Sequence, residues 1–224
     1  MSAPHETWAP HGAAVAAALF AAASWAAPVN AQQAATLPPA TTVYVAHLAG
    51  LNTKAAGGSV AGDATFTIAG DSLTITITAS GLPPGMTHWH HLHGFADGRP
   101  AACPNASADL NQDGFIDIVE TEPSVGTTMV PFTDSPVNMD VAHGVYPQAS
   151  ATGTLYYTRT VSLAALETSF GTVFPKQKLE LDRRVVFLHG VPATTQLPAT
   201  VASLGPIPAA VTLPIACGRM ARVK

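Results

Sequence analysis

The stretch ATFTIAGDSLTITITA, from Ala64 to Ala79, constrains the fold of this chain more than any other feature, because apolar residues alternate in it with threonine. Side chains two positions apart on a β-strand share a face, so the pattern predicts one buried face and one threonine face in water. Gly70 and Asp71 separate the two runs and predict the turn of a β-hairpin. The apolar residues of the buried face are Phe66, Ile68, Leu73, Ile75 and Ile77.

Further strands are predicted where short apolar runs lie between glycine and proline breaks. Many short strands with such turns favour an all-β fold, an antiparallel sandwich or barrel with long loops. The runs are TVYVAHLAG at 42–50, GTTMVPF at 126–132, GTLYYTRTV at 153–161, RRVVFLHGV at 183–191 and AAVTLPIACG at 209–218.

One short helix is predicted after Ser162, whose hydroxyl can cap its first turn. Leu163, Leu166 and Phe170 fall on one face of such a helix. Gly171 is predicted to end it, because glycine adopts the left-handed conformation of a C-terminal cap without strain. We expect the helix to be a crossover between two strands.

The N-terminal residues predict export from the cytoplasm. GAAVAAALFAAASWAAPVNA, which ends at Ala31, has the length of a signal-peptide core and closes on a small-residue cleavage pattern. The alternative, a retained anchor helix, is disfavoured because the run is shorter than a bilayer usually requires. We expect removal of 1–31, a disordered lead-in over 32–41, and one domain over 42–224 that is periplasmic or secreted without membrane attachment.

Charge and cysteine content narrow the class of protein further. The chain has 14 Asp and Glu against 10 Lys and Arg and no basic cluster, which argues against nucleic acid as a partner. Its two cysteines are Cys103 and Cys217. In an exported protein an even pair predicts one disulfide, and the alternative is two buried free thiols.

Four of the nine histidines lie within six residues, in the segment THWHHLHG. On a strand His91 and His93 share a face while Leu92 points to the core, so the two imidazoles can chelate one copper or zinc ion. Such sites need further ligands from elsewhere in the chain. His189, at the end of an apolar run, is the predicted third ligand; the alternative is that it is a structural residue.

His88 and His90 have the opposite parity to the predicted pair. They are therefore predicted to hydrogen-bond the ligands or, if a bulge shifts the register, to supply a displaced fourth ligand. The alternative for the whole segment is a polar edge strand that happens to be rich in histidine.

The segment DLNQDGFIDIVE, from Asp109 to Glu120, matches the twelve-residue calcium-binding loop. Gly114 stands at the sixth position, where that loop turns sharply. The alternative is an ordinary turn rich in Asp and Asn. The predicted ligands are the side chains of Asp109, Asn111, Asp113, Asp117 and Glu120 and the carbonyl of Phe115.

The histidine segment also resembles a known family, the copper/zinc superoxide dismutases. The resemblance lies in GLPPGMTHWHHLHGFADG at 81–98 with the following Cys103, in VVFLHG at 185–190 and in LPIACG at 213–218. It implies an eight-stranded Greek-key barrel, a Cys103–Cys217 disulfide, and copper that converts superoxide to dioxygen and hydrogen peroxide. The copper ligands that it implies are His91, His93 and His189, with His88 as a nearby structural histidine.

The chain departs from that family in two places. Between Cys103 and the next predicted strand it has no histidine for a zinc site, and His143 is the one downstream candidate for a bridging ligand. Pro214 stands where the family has an arginine that attracts the anion, and Arg219 has the opposite strand parity from position 214. On this comparison the calcium loop occupies the place of the zinc subloop and shapes one wall of the histidine site.

Three functions are consistent with these features. The first is an exported copper-dependent oxidoreductase of the superoxide dismutase type, with superoxide or another small molecule as substrate and a homodimer as the expected assembly. The second is a non-catalytic secreted module, because the early strands and the His-x-His-Gly sequence also resemble the chordin-type (CHRD) domain. The third is a periplasmic copper carrier, for which more methionine than Met86 would be expected near the site.

Overall fold

The computed structural model describes residues 40–224, which form one curled antiparallel sheet of eight strands. The strand order is β5-β4-β7-β8-β1-β2-β3-β6, in which the chain crosses the sheet between β3 and β4, between β5 and β6, and between β6 and β7. The predicted all-β, antiparallel Greek-key class is therefore confirmed. The strands are β1 Thr41–Gly50, β2 Ala61–Ala69, β3 Ser72–Ser80, β4 Trp89–Gly94, β5 Thr127–Pro131, β6 Leu155–Ser162, β7 Val185–His189 and β8 Pro214–Arg222.

The predicted signal peptide at 1–31 and most of the predicted lead-in at 32–41 lie outside the described residues. Thr41, which the prediction places in the lead-in, is instead the first residue of β1, because it pairs with Ala69 of β2.

The hairpin of β2 and β3 has the predicted two faces. Phe66 pairs with Ile75, and both are buried in the main core together with Leu73 and Ile77. Ile68 is partly buried and packs against the same core. On the other face, threonine side chains of β3 and β6 meet in hydrogen-bonded pairs, at 2.9 Å for Thr74 with Thr160 and 3.2 Å for Thr76 with Thr158.

The helices are short and lie in the connections between strands. None of those in the described part of the chain is long and apolar enough to cross a membrane. The α-helices are α1 Thr53–Ala56, α2 Ile118–Val125, α3 Leu163–Val173 and α4 Ala209–Thr212, and single 3-10 turns occupy Ala106–Ala108, Pro136–Asn138 and Leu181–Arg183.

The start of the last predicted strand, at 209–213, is helical instead. The N–H of Leu213 donates to the carbonyl of Ala209 at 2.8 Å, which closes the single turn of α4. Pro214 then ends the turn, because a proline disfavours helical conformation in the residue before it. The strand therefore begins only at Pro214.

The predicted crossover helix is α3, and its N-terminus is as predicted. The Ser162 hydroxyl accepts the N–H of Ala165 at 3.1 Å, and Leu166 and Phe170 are buried. The predicted end at Gly171 is wrong. The helical hydrogen bonds continue until the N–H of Phe174 donates to Phe170 at 2.8 Å, and Gly171 does not have a positive φ.

The disulfide between Cys103 and Cys217 is confirmed. It joins the long connection between β4 and β5 to the middle of β8. Phe95, Val185 and Phe187 form a small apolar cluster around Cys217, separate from the main core. This connection carries the segment from Asp109 to Glu120, called the acidic loop below, and is therefore anchored to the sheet covalently and by packing.

Replacement of Gly171 by alanine should stabilise the protein. A methyl group there would meet no atom within 4 Å, and alanine in a helix is favoured over glycine by roughly 0.5–1 kcal/mol. We expect a rise in melting temperature of about 1–4 °C in differential scanning calorimetry. The matched control is Gly57→Ala, which also has open space but a φ of 76° and should lower the melting temperature. Equal shifts in the two variants would contradict the conformational explanation.

Candidate metal centre

Pairing of β4 with β7 brings three histidines to one face of the sheet. Trp89 is opposite His189 and His91 is opposite Phe187, so the side chains of His91, His93 and His189 project on the same side. One ring nitrogen from each of the three lies within 4.8 Å of the others. Leu92, between the two β4 histidines, points into the main core as predicted.

The three imidazoles are removed from water and neutral near pH 7. The side chains are 4%, 8% and 4% exposed for His91, His93 and His189. Burial is the main cause that lowers the pKa of His93 to about 3 and of His189 to about 4, and it also lowers the pKa of His91 well below its usual value. Neutral imidazole is the form that binds a metal ion.

Hydrogen bonds fix which nitrogen each ring can offer to an ion. Nδ1 of His189 donates to the carbonyl oxygen of Thr212 at 2.6 Å, so Nε2 carries the free lone pair. Within the described residues, neither this Nε2 nor Nδ1 of His91 has a hydrogen-bond partner. Nδ1 of His93 faces the carbonyl oxygen of Gly126 at 3.4 Å, and its Nε2 lies 3.3 Å from the Thr128 hydroxyl.

These contacts fit a metal ion that binds imidazole well, such as copper or zinc. A buried polar atom without a partner costs about 1–3 kcal/mol, and coordination would satisfy both orphaned nitrogens. The carbonyl of Thr212 also orients one ligand ring, as partners of metal-binding histidines commonly do.

The structure does not bring the other candidate histidines into this group. Nε2 of His88 lies 2.9 Å from the carbonyl oxygen of Pro83, and its Nδ1 lies 3.1 Å from that of His189, so the ring joins the segment before β4 to the end of β7. His90 points into the core between Phe132 and Tyr157 because its strand parity is opposite to that of His91.

His143 lies away from the cluster, on a surface turn. Its Nδ1 pairs with the carboxylate of Asp140 at 3.1 Å, and its side chain is 85% exposed. The part of the chain that the structure describes therefore offers no fourth histidine beside the other three.

A pocket of about 520 Å³ opens above the three imidazoles. One wall belongs to α2, whose first turn contains the last residues of the acidic loop. Of the described residues that line the pocket, none is lysine or arginine, and Glu122 is the one carboxylate. The other lining residues are Trp89, Ile118, Val119, Thr121, Gly126, Thr127, Thr128, Val141, Ser203, Leu204 and Thr212.

The acidic loop folds into a compact turn stabilised by its own side chains. The two carboxylate oxygens of Asp109 accept the N–H groups of Asp113 and Gly114 at 3.1 and 3.0 Å. The side-chain oxygen of Asn111 accepts the N–H of Asp113 at 2.9 Å. Gly114 has a φ of 87°, as the turn at that position requires.

The last two predicted calcium ligands also start α2. Asp117 accepts the N–H groups of Val119 and Glu120, while Glu120 accepts the N–H of Asp117. This reciprocal arrangement is a capping box. The Asp-x-x-Glu spacing at 117–120 is a signal for a helix start, and it could have predicted α2 from the sequence.

The loop is also joined to a second segment that lines the pocket. The Thr200 hydroxyl donates to Asp113 at 2.6 Å, and the N–H of Ala202 donates to Asp117 at 2.7 Å. Ser203 and Leu204, which follow directly, line the pocket. No pattern in the sequence marked these residues, because they are distant in the chain from the histidines.

Similarity to known proteins was found among solved structures. No protein-family model matches this chain, and no curated protein matches it either. The chain is similar to a Cu/Zn superoxide dismutase from Brucella abortus, with 20% identity over 79% of this chain and 98% of that one, and a TM-score of 0.41. It is also similar to a double mutant of a superoxide dismutase-like protein from Bacillus subtilis, with 18% identity over 78% and 94% and a TM-score of 0.37.

Replacement of His88 by alanine should destabilise the fold without removing a ligand. The ring is fully buried, and its loss leaves a cavity and removes the contacts of its two nitrogens with the carbonyl oxygens of Pro83 and His189. We expect a loss of about 2–4 kcal/mol in the free energy of unfolding, measured by urea denaturation. The exposed His143→Ala variant is the control and should change it by less than about 0.5 kcal/mol. A small effect at His88 would mean that the ring does not join the two segments.

Proposed function

We propose that this protein is an exported copper-binding oxidoreductase that converts superoxide to dioxygen and hydrogen peroxide. The proposal is carried by the three buried, neutral imidazoles of His91, His93 and His189, each of which offers one ring nitrogen within 4.8 Å of the others. Nδ1 of His91 and Nε2 of His189 have no hydrogen-bond partner among the described residues. Three protein ligands leave a further coordination position on a bound ion, and the pocket above the histidines gives a small molecule access to it.

Copper accounts for both the ligand set and the chemistry. Imidazole binds copper and zinc well, but only copper changes oxidation state. When bound, copper would supply the one-electron steps by which two superoxide ions and two protons become dioxygen and hydrogen peroxide. The chain contributes the ligands, the carbonyl of Thr212 that orients His189, and the pocket through which a small molecule reaches the site.

Export is supported by the disulfide and by the predicted signal sequence. Cys103 and Cys217 are both used in one bond, and disulfides persist in oxidising compartments such as the periplasm or the extracellular space.

Calcium at the acidic loop is a second part of the proposal. The loop has oxygen donors at every ligand position of the calcium template, and its turn has the required glycine. An ion there would neutralise the carboxylates of the loop, and it would fix the start of α2. Because α2 forms one wall of the pocket, calcium would stabilise the surroundings of the copper site.

A non-catalytic secreted module of the chordin type is the second candidate function. It is favoured by the absence of lysine and arginine from the described lining of the pocket and by Pro214, which carries no charge. A superoxide ion is attracted by a positive field, and here the nearest lining charge is the carboxylate of Glu122.

Copper content is the first test of the proposal. After copper loading and desalting, we expect about one copper per chain by mass spectrometry of metals. The His189→Ala variant should lose most of it, since it removes one of three ligands. His143→Ala, at a surface histidine outside the cluster, should keep it. Retention of copper by His189→Ala would place the metal elsewhere.

A superoxide assay then separates the two candidate functions. The copper-loaded protein should consume superoxide in pulse radiolysis, while the His189→Ala variant should not. Stoichiometric copper without consumption of superoxide above that of the copper-free protein would refute the oxidoreductase and leave the binding module.

Calcium should raise the thermal stability of the protein. With a dissociation constant of about 0.1–1 mM, 10 mM calcium contributes roughly 1.4–2.7 kcal/mol, which raises the melting temperature by about 3–10 °C. Glu120→Gln should abolish this rise, because it removes a bidentate carboxylate. Glu122→Gln, two residues further along, should keep it. A melting temperature indifferent to calcium and to chelator would contradict the proposed loop.

A further inference from the structure

The volume of the pocket exceeds what a diatomic substrate needs. About 520 Å³ is available above the histidines, whereas a water molecule occupies about 30 Å³ and a diatomic ion little more. Pockets of about 300–1,000 Å³ are the usual size for sites that hold small organic molecules. The dimensions of this pocket therefore suit an organic ligand in addition to any small molecule at the metal.

Part of the pocket wall consists of apolar side chains that are exposed to solvent. Val119 of α2 is 60% exposed and Leu204 is 54% exposed, and both line the pocket together with Ile118 and Val141. A ligand that covered these side chains would gain about 25 cal/mol for each Å² of apolar surface removed from water. A strongly hydrated ligand would gain nothing from such walls.

Trp89 gives the pocket an aromatic wall in a fixed position. Its ring stacks on that of Tyr146, with centroids 5.2 Å apart and planes at 17°. The Tyr146 hydroxyl donates to the carbonyl of Val141 at 2.9 Å, which holds the stack in place. An aromatic ring of a ligand can pack against an indole held in this way at little entropic cost.

The polar groups of the lining select for an uncharged ligand. Apart from the histidines, they are the hydroxyls of Thr121, Thr127, Thr128, Ser203 and Thr212 and the carboxylate of Glu122. Hydroxyls can donate to or accept from a neutral polar group. An anion would find no cation among the described lining residues and would be repelled by Glu122.

We propose that this pocket binds an uncharged, ring-bearing organic molecule between Trp89, Val119 and Leu204, above the three histidines. The inference goes beyond the proposed function and does not depend on it, because the walls that hold the ligand require no metal. A bound molecule of this kind would lie directly over the coordination position, and would therefore also control which small molecules reach copper.

Binding of matched probes to the metal-free protein tests this inference. The probes are 2-naphthylmethanol, which is neutral, and 2-naphthoate, which has the same rings and a negative charge. Isothermal titration should give one site per chain for the neutral probe, with a dissociation constant on the order of 1 mM or tighter. The anion should bind at least about tenfold more weakly.

Two variants with the same change locate the site. Val119→Asp puts a carboxylate on the pocket wall and should weaken binding of the neutral probe by about tenfold or more. Val173→Asp is the control, because Val173 is similarly exposed on α3 but does not line the pocket. The affinity of this variant for the neutral probe should equal that of the parent protein. Both sites are exposed, so both variants should fold, which circular dichroism would verify.

Several results would overturn the inference. They are absence of binding by the neutral probe, equal or tighter binding of the anion, and equal loss of affinity in the two variants. A dimer that dissociates when the probe is added, seen by analytical ultracentrifugation, would show that a second copy of the chain occupies the pocket instead. Copper content is measured separately, so failure to bind copper would refute the proposed function and leave this inference intact.

Discussion

The antiparallel pairing of β4 with β7 is the interaction on which the site depends. In this register Trp89 faces His189 and His91 faces Phe187, so that three imidazoles from two strands lie on one face. The opposite face of the same strands carries Leu92 and Leu188 into the main core. A slip of one residue would exchange the two faces, and would turn the imidazoles into the main core and the leucines toward the pocket. Burial of the core residues therefore holds the ligands in register.

The site has an energetic cost that the rest of the fold offsets. Of the four buried ring nitrogens without a hydrogen-bond partner in the described structure, two belong to this site, Nδ1 of His91 and Nε2 of His189, and the other two belong to His90 in the core. Each costs about 1–3 kcal/mol, which is a large part of the net stability of a domain. Such a cost is expected where function requires an arrangement that folding alone would not favour. A metal ion is the simplest group that satisfies both atoms at once.

Two long connections build the pocket, and the sheet holds both of them. Arg184, fully buried next to β7, donates from Nη1 to the carbonyl of Phe95 at 3.4 Å, where the connection between β4 and β5 begins, and Gly94 at the end of β4 has no room for a side chain beside it. The Asn52 side chain donates to the carbonyls of Ile116 and Pro214 at 2.9 and 2.8 Å. Together with the disulfide, these contacts attach the acidic loop and α2 to strands. The pocket wall is thus as well anchored as the ligands.

The sequence by itself determined features that depend on near neighbours in the chain. Alternation of apolar residues with threonine predicted the hairpin of β2 and β3, and the His-x-His spacing placed His91 and His93 on one face, because strand periodicity is a local property. The resemblance at the histidine and cysteine segments implied His189 and the disulfide. Local signals failed where the chain had alternatives, as at Gly171 inside α3 and at Ala209 in α4.

Only the tertiary structure decided what surrounds those residues. The carbonyl of Thr212 that orients His189, the α2 wall with Val119 and Glu122, and the segment with Leu204 all come from distant parts of the chain. Their positions depend on how loops pack on a curled sheet, and no periodic pattern encodes such packing. Local sequence therefore determined which residues could bind a metal ion, whereas long-range packing decided the shape, polarity and charge of the pocket above them.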